Sequence, residues 1–388
     1  MERLNADRRA AGLEVSPTKE TPPPTFETDR QQAESDHYLQ LYRDLNSRYK
    51  KAIKELSIVD RLVSRVESLA PRSYNAAPSV PVLRKTTGRP QSALLQFSDT
   101  HVGCVVRPNQ TLGFGGYSWP IFLNRLAYLE DAIKSILTEH VGTKIDRLVV
   151  AMLGDMLHGN LSHANEAAHV NNLFMQFYGA SHAVAQFLRN LSTIVPEITI
   201  KTVVGNHPRW ANQRKMPTVN RNSNLDQFFY AMVQSLVRDI PKIQFDLDMQ
   251  PMAEFKIYDF KFLAAHGDHW RGGDKALGIP AHAMGRELSA KSQMYAAAGR
   301  SPVNYWLTGQ LHKEIQVPHA NGSILVNGGF PGADTYGIME NFTPVDPTQR
   351  FSLVHPSYGM TAQYSLTLKH AKDGQGLRYK MPASLELE

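Results

Sequence analysis

The sequence predicts an α/β or layered α+β domain that is preceded by a helical extension. From residue 92 to about residue 240, short apolar runs alternate with longer segments whose apolar residues repeat with the period of a helix. After that point the chain consists mainly of short apolar runs joined by turns, which indicate strands. Repeated strand–helix units followed by a β-rich half are typical of sheets covered by helices.

The predicted domain spans residues 92–370, and residues 371–388 are predicted to form a C-terminal tail. Pro120 lies in the first turn of one predicted helix, where its missing N–H leaves no bond unmade, and Ser223 is the predicted N-cap of another. The predicted strands are 92–99, 146–155, 197–207, 242–248, 253–259, 260–268, 303–309, 322–329, 349–356 and 361–368. The predicted helices are 118–141, 171–191, 223–240 and a stretch near 281–298.

The N-terminal region is predicted to have three parts. Residues 1–29 are polar and carry the run TPPPT, which indicates a disordered or extended arm. Residues 30–70 carry a heptad seam that Pro71 ends, and residues 71–91 form a linker that contains prolines. The seam is made of Tyr38, Tyr42, Leu45, Tyr49, Ala52, Leu56, Val59, Val63, Val66 and Ala70. The helix at 38–70 is either a coiled coil for self-association or a helix packed along its own domain.

The composition narrows the class of protein. The chain has 388 residues, of which 42% are hydrophobic and 20% charged, as in soluble globular proteins. It has no apolar run long enough to cross a membrane and no apolar leader near residue 1, so we expect neither a membrane partner nor a secretory signal. Cys104 is the single cysteine, which excludes an intramolecular disulfide and favours the cytoplasm. The net charge of +6 slightly favours polyanionic partners.

Polar residues that can bind metals follow five of the predicted strands. Ligands bind beyond the carboxyl ends of strands in sheet-based α/β folds, so these residues are predicted to meet at one site. They are Asp99 and His101, Asp155, Asn206 and His207, His266, and Gln310 and His312. Carboxylates, amides and imidazoles without a thiolate suit Mn, Fe or Zn bound by nitrogen and oxygen. Taken singly, each motif is also compatible with a turn or a structural histidine.

The ordered motifs DTH (99–101), GD (154–155), GNH (205–207), HGD (266–268) and GQLH (309–312) resemble those of the calcineurin-like metallophosphoesterase superfamily. The resemblance covers roughly residues 92–330. The stretch GDMLHG, with His158 after the GD, is similar to the double-strand-break-repair nuclease branch, and the basic segment after GNH resembles phage- and prophage-encoded phosphoesterases. The resemblance implies two facing β-sheets flanked by helices and two divalent ions, most often Mn, with Mg, Fe or Zn as alternatives.

The resemblance also implies a role for each residue at the strand ends. One metal would be bound by Asp99, His101, Asp155 and His312, and the second by Asp155 as a bridge, Asn206, His266 and the residue at position 310. That last position is a histidine in the family, so Gln310 predicts a weakened second site. His207 would contact the scissile phosphate and protonate the leaving oxygen, which makes His207, His101 and Asp155 the predicted catalytic group.

Further residues are predicted to support this site. The segment after GNH has basic residues, a tryptophan and no acid, which favours contact with a polyanionic substrate, whereas a solvated basic loop is the alternative. The candidate substrate-binding residues are Arg209, Trp210, Arg214, Lys215 and Arg221. His158, Asp268 and His269 are predicted to lie just behind the metal ligands.

Three functions remain open on the sequence. The leading one is metal-dependent phosphodiester hydrolysis by a metal-activated water at a dinuclear site. Within that function a DNA nuclease is favoured, with DNA as the partner. The second is a phosphomonoesterase, or a nucleotide or phosphoprotein phosphatase. The third is a catalytically weak, oligomeric DNA-binding scaffold. The expected location is the cytoplasm, which would be that of the host if the protein is encoded by a phage.

Overall fold

The computed structural model describes residues 36–37, 39–41, 43–44, 46–47, 88–159, 173–209, 224–247, 252–270, 279–333, 338 and 344–380. The chain divides into two units, Met1–Ala70 and Pro71–Glu388. In the first unit the described residues, which lie between 36 and 47, are helical. Most of the heptad segment, the arm and the linker lie outside the described residues, so self-association through this helix stays a prediction.

The second unit contains eleven named strands among its described residues. In chain order they are β1 (Gln91–Phe97), β2 (Ile145–Met152), β3 (Ile198–Thr202), β4 (Ile243–Asp246), β5 (Ala253–Ile257), β6 (Phe260–Ala264), β7 (Tyr305–Thr308), β8 (Ile315–His319), β9 (Gly322–Val326), β10 (Thr348–His355) and β11 (Gly359–Thr367). The longer helices are α1 (Trp119–Ser135), α2 (Leu173–Ser192), α3 (Leu225–Leu236) and α4 (Ala281–Ala297).

The strands form two sheets. The six-stranded sheet has the order β11-β10-β1-β2-β3-β4, in which β1 to β4 are parallel and β10 and β11 are antiparallel additions. The five-stranded sheet has the order β5-β6-β7-β9-β8, in which β6, β7 and β9 are parallel. The edge strand β8 was not predicted, because Pro318 interrupts the strand pattern.

The two sheets face each other across an apolar core. Leu94 and Val149 from the six-stranded sheet pack in one buried cluster with Phe262 and Leu325 from the five-stranded sheet. Helix α4 covers the outer face of the five-stranded sheet, where Met284 packs with Trp306. On the outer face of the six-stranded sheet, Phe97 of β1 stacks on Phe187 of α2, with ring centroids 5.7 Å apart. The predicted α/β class, with two facing sheets flanked by helices, is therefore confirmed.

Two details at the helix ends differ from the sequence prediction. Helix α1 ends at Ser135 and continues as a short π-helix over Ile136–His140. The N-cap of α3 is Asn224 rather than Ser223, because the Asn224 side chain accepts the N–H of Asp226 at 2.9 Å. Both residue types cap helices well, and the choice between neighbours depends on which one has the extended backbone.

The predicted C-terminal tail is in part an integral piece of the domain. The N–H of Gly376 donates to Asn124 Oδ1 of α1 at 2.8 Å. The hydroxyl of the buried Tyr379 donates to Glu130 Oε2 at 2.7 Å. Residues 371–380 thus pack against α1, and residues 381–388 lie outside the described part.

Within the described part of the chain, every helix is too short or too polar to span a bilayer.

Candidate metal centre

The strand ends bring the candidate ligands to one edge of the molecule. In the six-stranded sheet, Phe97 at the end of β1 pairs with Met152 of β2, which pairs with Thr202 of β3, so these strands end level with one another. Backbone bonds join the turns that follow, such as Asp99 N–H to Gly154 O at 3.0 Å. In the five-stranded sheet, Gly309 N–H after β7 donates to His266 O after β6 at 3.0 Å, and Gln310 N–H after β7 donates to Asp99 of the other sheet. The turns after β1, β2, β3, β6 and β7 therefore form one cluster.

The backbone at this edge is strained. Seven non-glycine residues of the described part have positive φ, and five of them are candidate ligands. They are Asp99 (52°), His101 (42°), Asp155 (54°), Gln310 (68°) and His312 (52°). Left-handed backbone costs an L-residue about 1–2 kcal/mol and is found where surrounding structure imposes it, often at functional sites. The residues with positive φ are therefore mainly those whose side chains meet at the site.

One half of the site consists of Asp99, His101 and His312, which could hold a metal ion together. The Nε2 atoms of His101 and His312 lie 2.9 Å apart. Asp99 Oδ1 lies 4.0 Å from the first of these atoms and 3.5 Å from the second. Burial and the neighbouring imidazoles of His207 and His312 hold the pKa of His101 well below its usual value, so its ring is neutral and able to bind a cation.

The other half consists of Asp155, His266 and Asn206. His266 Nε2 lies 3.1 Å from Asp155 Oδ2 and 3.1 Å from Asn206 Oδ1. Its Nδ1 lies 2.7 Å from the carbonyl oxygen of Leu153 and donates to it, which directs Nε2 into the site. Burial opposes a charge on His266, but the Asp155 carboxylate outweighs burial and raises the pKa of His266 to about 10. A positive charge is therefore favoured at this place.

Asp155 lies between the two halves. Its Oδ2 is 3.8 Å from His101 Nε2 on one side and 3.1 Å from His266 Nε2 on the other. Burial disfavours the carboxylate, but the charges of His266 and His207 outweigh burial and hold the pKa of Asp155 well below its usual value. Apart from this ion pair with His266, the buried Oδ2 accepts no hydrogen bond from the described residues. A carboxylate oxygen in that position is suited to bridging two cations.

Gln310 belongs to the same site. Its backbone N–H donates to both oxygens of Asp99, at 3.1 and 3.2 Å. Its side-chain Oε1 is buried and has no hydrogen-bond partner among the described residues. A buried amide oxygen without a partner costs about 1–3 kcal/mol, which a bound cation would offset. The donor set thus fits divalent cations: among the described residues Gln310 Oε1 has no partner, and Asp155 Oδ2 is paired with His266 alone.

Two further histidines lie beside the ligands. The His207 ring centroid is 4.5 Å from that of His101, and the backbone N–H of His207 donates to Asp155 Oδ1 at 2.8 Å. His158 Nδ1 lies 3.3 Å from His101 Nδ1. His101, His158 and His207 are close enough to form a further group that could hold a metal ion. Burial lowers the pKa of His207, so its imidazole is neutral at pH 7.

The structure adds residues that the sequence did not predict. Asp226, at the start of α3, accepts the backbone N–H groups of Asp155, Met156 and Gly205 at 2.9, 3.1 and 2.9 Å. It is fully buried, and burial together with the Asp155 carboxylate raises the pKa of Asp226 to about 7. One side chain therefore joins the turns after β2 and β3. Its position in the first turn of a helix gave no sign of this role.

A second unpredicted group of buried polar side chains forms hydrogen bonds to Asp99 and to the neighbouring Ser98. Ser98 Oγ donates to Asp99 Oδ2 at 2.5 Å, and the N–H of Ser98 donates to Gln349 Oε1 at 3.0 Å. Asn327 Nδ2 donates to the same Gln349 oxygen at 3.0 Å. All four side chains are buried. The only sequence cue was their place at the ends of β1 and β9 and in β10.

The remaining predicted residues are placed less centrally. Arg209 Nε donates to Asn206 O at 2.5 Å, so it stabilises the turn that carries a candidate ligand. Asp268 is among the charges that raise the pKa of His266. His269 Nε2 lies 2.6 Å from Glu287 Oε2 of α4, so it contacts that helix. The candidate substrate-binding residues Trp210, Arg214, Lys215 and Arg221 lie outside the described residues.

Comparisons with known proteins give only distant likenesses. No family model matches the chain, and no curated protein matches it. A predicted phosphoesterase from Streptococcus pneumoniae is 11% identical with a TM-score of 0.32, and the match covers 74% of this chain and 96% of that one. An archaeal phosphodiesterase is 12% identical with a TM-score of 0.32 and coverages of 71% and 99%. Vacuolar protein sorting 29 from Cryptosporidium parvum is 13% identical with a TM-score of 0.30 and coverages of 72% and 100%. With TM-scores this low, only the geometry of the site supports a function.

Proposed function

We propose that this chain is a calcineurin-like metallophosphoesterase that hydrolyses phosphodiesters in nucleic acid, most favourably DNA. The observation that carries the proposal is the position of Asp155 Oδ2. It is buried, it accepts no hydrogen bond from the described residues apart from its ion pair with His266, and it lies within 3.8 Å of ligand nitrogens on both sides. A shared carboxylate between two ligand groups is the arrangement that two-metal hydrolases use.

The ligand set assigns residues to two cations. Asp99, His101, Asp155 and His312 would hold the first, and Asp155, Asn206, His266 and Gln310 the second. Oxygen and imidazole donors without thiolate favour Mn, with Fe, Zn and Mg as alternatives. Two divalent ions, when bound, supply Lewis acidity for the phosphoryl oxygens and lower the pKa of a bound water.

His207 is the residue placed to move a proton. The backbone N–H of His207 donates to Asp155 Oδ1, which holds His207 beside that carboxylate, and the His207 ring packs edge-on against the His101 ring. Burial keeps the free imidazole neutral. The negative charge of a phosphate next to the ring would favour the protonated form, which can then donate a proton to the leaving oxygen.

Nucleic acid is the proposed substrate class because basic residues follow the GNH motif directly. The stretch from His207 to Asn222 has four basic residues and no acid, next to the turn that carries Asn206. The phosphates of a nucleic acid attract such a segment, and the attraction weakens as salt rises. A net charge of +6 acts in the same direction.

The test is hydrolysis with Mn²⁺ added to metal-stripped protein. We expect cleavage of DNA and of a bis-substituted chromogenic phosphate, with a much slower reaction on the mono-substituted ester. His207→Ala should lower the rate by about 10²–10⁴-fold, which is the usual contribution of a proton-transferring side chain. His282→Ala is the matched control, since His282 is exposed on α4. Preference for the mono-substituted ester would instead assign a phosphomonoesterase.

The second metal position has a separate test. The amide oxygen of Gln310 is a neutral donor, weaker toward transition metals than imidazole. Gln310→His should therefore tighten the weaker of two binding steps in a calorimetric titration with Mn²⁺ and leave the tighter step unchanged. Identical titrations for the two proteins would contradict the assignment of Gln310 as a ligand.

A further inference from the structure

A loop next to the metal centre exposes two large apolar side chains. This apolar loop comprises residues 107–116, between Val106 and Tyr117, which exchange backbone hydrogen bonds at 2.9 Å in both directions. At its tip Leu112 is 77% exposed and Phe114 is 63% exposed. Apart from its chain neighbours, no atom of the described residues lies within 4 Å of where a Cβ on Gly113 would lie, so the tip projects away from the described part of the domain.

Hydrogen bonds within the apolar loop close its tip. Thr111 is fully buried, and its hydroxyl donates to the carbonyl oxygen of Gly115 at 2.6 Å. Gly113 N–H donates to Pro108 O at 2.8 Å, and Phe114 N–H donates to Thr111 O at 2.9 Å. These bonds close a compact turn that fixes the backbone at both apolar residues. A segment whose backbone is already fixed loses less conformational entropy when it binds a partner.

The turn is also strained at the residue that it exposes. Leu112 has a φ of 53°, and it is one of only two described non-glycine residues with positive φ outside the metal centre. A branched, apolar residue is a poor choice for that conformation and for full exposure to water. Strain combined with exposed apolar surface indicates a binding role, because neither property stabilises the free fold.

The apolar loop is fixed directly to the site. Its last anchor, Tyr117, is buried, and its hydroxyl donates to the carbonyl oxygen of Thr100, between the candidate ligands Asp99 and His101. Phe114 is three residues from Tyr117, so their Cα atoms are at most about 11 Å apart. The exposed Arg107 begins the loop, and no acidic residue occurs from Thr100 to Leu129. This stretch of the chain therefore adds no negative charge beside a polyanion bound at the metals.

We propose that the apolar loop is a stacking platform for an unpaired base of a nucleic acid whose backbone enters the metal centre. Phe114 stacks on the base and Leu112 covers its edge, while Arg107 faces the backbone. This inference rests on the proposed function, since it names a base contact for that substrate class. Two side chains are too small for a stable protein interface, which buries on the order of 1,000 Å² or more, whereas one base matches them in size.

The experiment measures binding by fluorescence anisotropy, using a labelled single-stranded oligonucleotide with phosphorothioate linkages that resist cleavage. We expect Phe114→Ala to weaken binding by about 5- to 150-fold, the range for the loss of one base–aromatic stack. Phe114→Trp should bind as well as the unchanged chain. Leu377→Ala, at another exposed leucine, is the matched control and should bind normally. An oligonucleotide with abasic sites should bind the unchanged chain and Phe114→Ala with equal affinity.

The outcomes separate this inference from the proposed function. Equal binding of the base-containing oligonucleotide by Phe114→Ala and the unchanged chain overturns the platform, as does an equal loss on the abasic oligonucleotide. Phe114-dependent binding to anionic vesicles without such dependence on the oligonucleotide would assign the apolar loop to a membrane surface and also overturn it. Failure of the unchanged chain to hydrolyse any diester would refute the proposed function, while the anisotropy result would still decide the role of Phe114.

Discussion

Gly205 offers the sharpest test of the candidate metal centre, because a single added carbon would collide with the Asp155 carboxylate. A Cβ built on Gly205 would lie 2.0 Å from Asp155 Oδ1 and 2.2 Å from the Asp155 backbone N. The backbone of Gly205 is not in the left-handed region, so alanine itself is compatible with its conformation. Gly205→Ala therefore tests the close approach between the turns after β2 and β3 and little else.

The size of the effect follows from the overlap. Real Cβ atoms essentially never approach another heavy atom within 3.0 Å, so Asp155 would have to retreat by at least about 1 Å. Both the carboxylate and the backbone of Asp155 are involved, and neither is the free end of a flexible chain. Overpacking of this kind costs about 1–3 kcal/mol of folding free energy. A displacement of about 1 Å in a catalytic group can lower the rate by about 10²-fold.

The assay combines urea unfolding, calorimetric Mn²⁺ titration and hydrolysis of the bis-substituted chromogenic phosphate. Gly205→Ala should unfold at a lower urea concentration, bind Mn²⁺ more weakly and hydrolyse the ester about 10²-fold more slowly. Gly285→Ala in α4 is the matched control, since nothing lies within 4 Å of its added Cβ. That control should be more stable by up to about 1 kcal/mol. Unchanged Mn²⁺ affinity and rate in Gly205→Ala would refute the placement of Asp155.

Three further predictions concern stability. Asp226→Ala should lose about 3 kcal/mol or more, because three buried N–H groups lose their acceptor, and Asp226→Asn should lose about half as much in the same urea assay. Tyr379→Phe should lose about 1–2 kcal/mol in thermal unfolding, because the buried Glu130 carboxylate loses a donor. Burial lowers the pKa of His182 to about 4, below its unfolded value of about 6.5, so the unfolded chain takes up the proton first and stability falls between those pH values. His182→Gln should remove up to about 3 kcal/mol of that loss in urea unfolding between pH 7 and pH 4.

Each of these predictions has a control variant or an outcome that would contradict it. Asp226→Ala as stable as the unchanged chain would mean that water replaces the lost acceptor. Tyr358→Phe, at a tyrosine that is 76% exposed, should leave the melting temperature unchanged, and an equal drop for both tyrosines would contradict the role of Glu130. His282→Gln should keep the pH dependence of the unchanged chain, and the idea about His182 fails if both glutamine variants follow the same curve.

The ends of the strands were predictable because local patterns specify them. An apolar run that stops at a polar residue marks the end of a buried strand, and parallel strands place such ends at one edge. Asp99, Asp155 and His266 meet in the structure for that reason. The basic segment beyond Arg209 and most of the heptad helix lie outside the described residues, so substrate contact, the coiled coil and the chemistry on DNA stay predictions.

The supporting residues were not predictable, because long-range packing specifies them. Asp226 binds the turn of Asp155 from 71 positions away along the chain, and Gln349 binds Ser98 from 251 positions away. An aspartate in the first turn of a helix is ordinary, and its sequence context is the same whether it caps its own helix or a distant turn. Strand β8 escaped prediction for a different reason, since Pro318 is tolerated only because β8 is an edge strand.

The left-handed backbone of the candidate ligands changes how a mutational scan of this chain has to be read. Alanine at Asp155 would keep the conformational penalty of a side chain at a φ of 54°, whereas glycine would remove that penalty together with the carboxylate. Alanine variants would therefore mix the loss of a ligand with a backbone that is still under strain. Paired glycine and alanine variants at Asp99, Asp155 and His312 separate the two contributions. The effect of losing a ligand on metal affinity is then measured with the glycine variant, in which the backbone strain is relieved.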